Sequence, residues 1–233
     1  MQVTDRVQAE VAARVPGAAA LGLVLPPGAD AVPAARLTDP AWTAEVLDAR
    51  ARWQGTDDGR VLATVWWYSV STVLLTPPLA GLATGRPLSA RAEDTVVALR
   101  PGYQPVAAEA SAPGADPAAE LRETLAGVIA AVAEAGRMRE RPLWAIATDS
   151  LANQCLALGR ALGHVPTLTT LAAHLAAAIG APLPAPRYVD VGGARFTRRA
   201  SCCLLVEVPG QAMCTSCPRR PPAERRALLE RLA

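Results

Sequence analysis

Four of the chain's five cysteines, Cys202, Cys203, Cys214 and Cys217, fall into the spacing CC-x10-C-x2-C. The opening residues, Met1 to Arg6, lack the basic segment and apolar core of a signal peptide, which points to a cytoplasmic protein. Reducing compartments keep thiols free, so clustered cysteines there bind metal or do redox chemistry rather than form disulfides. The sequence also offers a way to bring them together. Leu204–Val208 reads as part of a strand, Pro209-Gly210 as its turn and Gln211–Met213 as the return, a hairpin that places Cys214 beside Cys202 and Cys203. Cys214-x-x-Cys217 is the tight loop of thiolate metal sites, and Pro218 ends it stiffly. Paired CxxC knuckles would favour zinc, but adjacent cysteines are not a usual zinc knuckle. Spacing alone leans toward iron–sulfur and leaves a zinc-stabilised binding module open.

Arg198, Arg199, Arg219 and Arg220 flank these thiols, and each has the charge to steady an anionic metal site or to dock an anionic partner. No lysine occurs, so all 23 basic side chains are arginine, and the net charge of +2 is too near neutral to imply a nucleic-acid partner. The sequence holds no G-x-G-x-x-G and no P-loop. Redox chemistry would therefore draw its electrons from outside.

The elements that position the thiols follow from periodicity and caps. With 233 residues, 51% of them hydrophobic, the chain suits one large domain with a small appendage. Val3, Val7, Val11 and Val15 share a helical face, and a Pro/Gly/Ala-rich connector runs from Pro16 to Pro33. Thr38-Asp39-Pro40 starts a helix that runs to about Trp53. Asp57-Asp58-Gly59 starts an uncharged apolar one, which Pro77-Pro78 interrupts. Its hydroxyl residues and that proline pair make it a buried core helix rather than a membrane span. Thr95–Leu99 and Gln104–Ala108 read as strands about Pro101-Gly102. Three more helices fit Asp116–Gly136, Pro142–Leu162 and Thr167–Ile179. Beyond Pro182–Pro186 come a strand at Tyr188–Val191, a Gly192-Gly193 turn, a second strand at Cys202–Val208 and a helix at Pro222–Leu232. The fold class is α+β, with a mainly helical substrate-docking domain over 1–186 and a cysteine-bearing domain over 187–233.

Other residues have plainer roles. Cys155 sits mid-helix and reads as a buried structural thiol. His164 and His174 are too far apart for a helical metal pair, and Trp66-Trp67-Tyr68 reads as core.

The cysteine pattern, with Arg198, Arg199 and Ser201 leading into it, resembles the signature of the FhuF-type ferric-siderophore reductases. The likeness is specific over 187–220 and thinner over 38–186. It implies a [2Fe-2S] cluster on Cys202, Cys203, Cys214 and Cys217. It also implies an enzyme that reduces chelated Fe(III) to Fe(II) by one electron, releasing iron from a ferric siderophore. The donor would be a ferredoxin, a flavoprotein or a small reductant. Arg198, Arg199 and Trp144 are the expected substrate contacts, Trp144 and Asp149 lying where the family's central motif approaches the cluster. Val206 stands where members often have an aromatic, and Trp144-Ala145-Ile146 where they commonly have Trp-Gly-Asn. The protein is expected to be a monomer with no membrane span. The alternative is a [2Fe-2S] electron-transfer or redox-sensing module acting on protein partners.

Overall fold

A computed structural model describes residues 7–233; Val3, expected on the first helical face, lies outside them. The described residues are mixed α and β, with seven α-helices and two small sheets, in agreement with the expected class.

The first helix, α1, covers Val7–Ala12, and β1 follows at Asp30–Pro33. The connector thus holds a strand that its Pro/Gly/Ala composition concealed. Asp39 caps α2 (Pro40–Gln54) by accepting the Ala41 N–H at 2.9 Å. Asp58 does the same for α3 (Gly59–Ala83) with the Val61 N–H at 3.1 Å. The expected interruption at Pro77-Pro78 is absent, because α3 continues through both prolines to Ala83. Both rings are buried, and packing on every side holds the helix where two lost amide donors would otherwise break it.

β2 (Thr95–Arg100) pairs antiparallel with β1 on one side and β3 (Gln104–Ala110) on the other. Asp116 caps α4 (Pro117–Ala135), which is followed by α5 (Glu140–Leu162) and α6 (Val165–Ile179). α3 and α5 form the spine. Trp66 and Trp67 of α3 are fully buried, and the Trp67 indole donates to the Leu143 carbonyl at 2.8 Å. Ser71 and Ser150 join hydroxyls at 2.7 Å, and the Gln154 amide donates to the Thr72 carbonyl, so the buried polar groups are matched across the contact. One hydrophobic core runs from Val11 to Leu183. No helix of the described residues is long and apolar enough to cross a membrane.

Past this core come β4 (Tyr188–Val191), β5 (Ala194–Thr197) and α7 (Pro222–Glu230). β4 and β5 form a hairpin about Gly192-Gly193, whose φ values of 57° and 83° are those of a two-residue turn that favours glycine. The second strand therefore lies at Ala194–Thr197, and the strand expected over Cys202–Val208 does not form. That stretch is a loop with a short 3-10 turn at Leu205–Glu207. Its apolar run mimics a strand, but Leu204 has φ of +60° and bends the backbone where a strand would extend.

Candidate metal centre

The loop that carries the cysteines rests on α3 and α5. Val208 packs on Val61 and Val65 with Leu204 and Leu205 alongside, a small apolar cluster separate from the main core. The second attachment is polar. Asp149, buried on α5, accepts the backbone N–H of Ala200 at 2.6 Å and of Ser201 at 3.1 Å, and faces the Arg199 guanidinium at 3.4 Å. Burial raises the Asp149 pKa, and the two N–H donors and Arg199 offset this in part.

Arg199 joins this anchor to the thiols. Its guanidinium lies 4.8 Å from the centre of the Tyr68 ring, while Nη1 approaches Cys203 Sγ at 3.6 Å and Cys214 Sγ at 3.5 Å. Burial opposes its charge, but the Tyr68 phenol, the Cys203 thiol and Asp149 more than compensate and raise its pKa. Arg199 Nη2 is buried and has no partner among the described residues.

The four thiols gather as two pairs. Cys202 and Cys217 bring their sulfurs to 3.8 Å, and Cys203 and Cys214 both lie against Arg199 Nη1, at 3.6 and 3.5 Å. Two thiolates on one tetrahedral metal, at about 2.3 Å each, lie about 3.8 Å apart. A lone zinc would draw four sulfurs to one point, whereas a two-iron cluster takes two at each end. The buried Arg199 Nη2 beside Cys203 and Cys214 is a donor suited to a sulfide. The residues thus fit a [2Fe-2S] group.

Local backbone supports the same arrangement. The left-handed Leu204 lets two successive amides face the thiols, Leu204 N–H toward Cys202 and Leu205 N–H toward Cys203. Cys217 N–H closes the CxxC loop on the Cys214 carbonyl at 3.2 Å. Arg220 donates to the carbonyls of Met213 and Cys214. The neighbouring Cys214 thiol lowers the Cys203 pKa to about 5, burial opposing and the Leu205 amide and Arg199 adding to it, and the same interaction raises that of Cys214. Cys203 and Cys217 are buried and Cys202 and Cys214 half-buried, so each pair has one inner and one outer sulfur.

Residues 199–219 match the FhuF 2Fe-2S C-terminal domain. The segment is a [2Fe-2S] domain of that type. The match spans all four clustered cysteines and Arg199. No curated protein matches the chain.

The remaining expected residues fall into two groups. Arg198 is exposed and lines a cavity beside β4 and β5, while Arg199 faces inward. Trp144 is 3% exposed, with its ring in the main core and its indole N–H 3.3 Å from Glu140. Cys155 is fully buried, and burial pushes its pKa up to about 12. His164 and His174 are exposed, away from the thiols. Sequence reasoning read Tyr68 in a core run with one ring at a domain interface as the alternative, and the family likeness brought Asp149 near the cluster without showing its bonds to the cysteine loop. Both lie on distant helices, and the unmatched charge of Arg199 is the one signal in the residues themselves for such partners.

Proposed function

We propose that the protein is a ferric-siderophore reductase, which takes one electron from an external donor and passes it to chelated Fe(III). Cys202 and Cys217 would hold one iron and Cys203 and Cys214 the other. The observation that carries this reading is the two-and-two grouping of thiols, with Arg199 between two of them, inside a segment that matches the FhuF 2Fe-2S domain.

When bound, the cluster supplies a one-electron couple, −2 in total charge when oxidised and −3 when reduced. The chain's own residues set the conditions for that step. Arg199 holds a positive charge against Cys203 and Cys214 and favours the more negative state. The Leu204 and Leu205 amides add hydrogen bonds to sulfur with the same sign of effect. Asp149 fixes Arg199 and the two amides that lead into Cys202. The half-buried Cys202 and Cys214 leave one side of the site near solvent, where donor and chelate can approach.

Reduction suits the task because siderophore oxygens are hard donors that bind Fe(III) far more tightly than Fe(II). No general acid or nucleophile is required. The test is stopped-flow reoxidation of anaerobically reduced protein by a panel of ferric siderophores, with a ferrous chelator present. Return of the oxidised visible spectrum with one Fe(II) trapped per protein is expected. Failure of every ferric siderophore, with rapid reoxidation by protein acceptors, would overturn it in favour of an electron-transfer module.

A further inference from the structure

Between the β4–β5 hairpin and α7 lies a cavity of about 560 Å³. Its volume is in the range of small-molecule sites, and it is a recess rather than the broad face that a protein partner needs. Arg187, Arg198, Arg199, Arg225 and Arg226 line it, and no Asp or Glu does. Two of these charges are answered, Arg199 by Asp149 and Arg226 by Glu230. The other three have no carboxylate partner among the described residues. Arg225 turns Nη1 to the carbonyls of Cys217 and Arg220 and keeps its charge uncompensated.

Two further features have the same polarity. α7 opens at the cavity with Pro222 on the wall, and its N-cap residue Pro221 provides no side-chain cap, so the positive end of the helix is left free. The buried Thr197 hydroxyl, also on the wall, has no hydrogen-bond partner among the described residues. The cavity shares a wall with the cysteine loop as well, since Ser216 and Pro218 flank Cys217 on its lining.

We infer that this cavity seats an anionic ferric chelate, held by Arg187, Arg198 and Arg225 beside the Cys214–Cys217 loop. This rests on the reductase reading and adds the charge class and the place of its substrate. The site is built wholly from residues after 186, so chelate and thiols share one small unit. The step balances simply. One electron leaves the reduced cluster, which returns from −3 to −2, and Fe(III) of the chelate becomes Fe(II). No bond to the protein forms, and the external donor restores the electron.

The test uses the cluster-loaded protein and redox-inert gallium(III) complexes, measured by isothermal titration calorimetry. Anionic gallium(III) tris-catecholate should bind at least tenfold more tightly than a neutral gallium(III) tris-hydroxamate, and the preference should shrink as salt rises. The double variant Arg187→Gln/Arg198→Gln should lose tenfold or more of the anion affinity with its visible spectrum intact. Equal affinity for both complexes, or no salt dependence in the parent protein, overturns the site, and neither result depends on the variant folding. An unweakened double variant overturns it too. Ferric counterparts then separate the two claims. If the anion preference holds but no ferric chelate reoxidises the reduced protein, the reductase reading fails. If both ferric chelates reoxidise it with no dependence on these arginines, the site fails and the reading stands.

Discussion

The two parts of this molecule are held together by different forces. The region from α1 to α6 buries a continuous set of large apolar side chains, with two tryptophans of α3 at its centre. The cysteine loop is held by Val208 on Val61 and Val65 of α3, two partly covered leucines and one buried ion pair. The first follows from ordinary hydrophobic burial, about 1.5–3 kcal/mol for each large side chain. The second has too little apolar surface to order itself in that way and should depend on ligation and on Asp149. A small metal-bearing segment commonly takes its folding free energy from the metal.

The comparison can be broken most sharply by removing the cluster. Serine at any of Cys202, Cys203, Cys214 or Cys217 should abolish most of the visible absorption and EPR signal. Hydrogen exchange should then rise over about 198–221 and change little in α3 and α5. Protection lost throughout would mean that the two regions fold as one.

Next in size, Trp67→Ala should cost about 3–5 kcal/mol of stability through cavity formation, with loss of its bond to Leu143 in addition. Thermal unfolding measures this, and protein still folded below its midpoint should keep its cluster. Asp149→Ala acts on the junction instead. It leaves Arg199 buried without its carboxylate and strips the acceptor from two amides, so about 3–5 kcal/mol is at stake locally. Faster cluster loss, with a smaller shift in global unfolding than Trp67→Ala, is the expected signature.

A smaller effect divides two neighbouring arginines. Arg199→Gln should lower the midpoint potential by some tens of millivolts, since about 1.4 kcal/mol corresponds to 59 mV for one electron. Arg198→Gln should hardly move it, because that side chain is exposed and, of the two, Arg199 is the one that meets the sulfurs. Equal shifts in redox titrations would refute the assignment. Smallest of all is the reactivity of Cys155. With a pKa pushed up to about 12, it is a thiol at pH 8, with roughly one part in ten thousand ionised. Iodoacetamide should label it only after unfolding, and Cys155→Ser should retain the cluster.

The same contrast explains what was legible in the sequence. The helices of the large region announce themselves through local chemistry. Asp39, Asp58 and Asp116 each accept an amide of the first turn, and each stands before a Pro or Gly where sequence reasoning expects a helix to start. The prolines of α3 misled because local cost was outweighed by tertiary burial, which no short window contains. β1 was hidden by its length of four residues in a proline-rich connector. In the cysteine region, residue types and spacing identified the chemistry, and the path of the backbone did not. Leu204–Val208 looks like a strand, yet the left-handed Leu204 turns its amides toward sulfur. The family likeness brought Asp149 toward the cluster, but its pairing with Arg199 was hidden, since the two are fifty positions apart and neither residue type signals the other.

That separation also fixes an order of events. Val61, Val65, Tyr68 and Asp149, the side chains on which the cysteine loop leans, all precede Cys202 in the chain. A ribosome therefore completes the platform before it makes the first of the four clustered thiols, and domains generally fold from the N-terminal side during synthesis. The cysteines emerge beside a surface that is already shaped to receive them. Iron and sulfide can then be delivered to a nascent site whose lead-in amides and neutralising arginine have a place to settle, rather than to a loose string of reactive thiols.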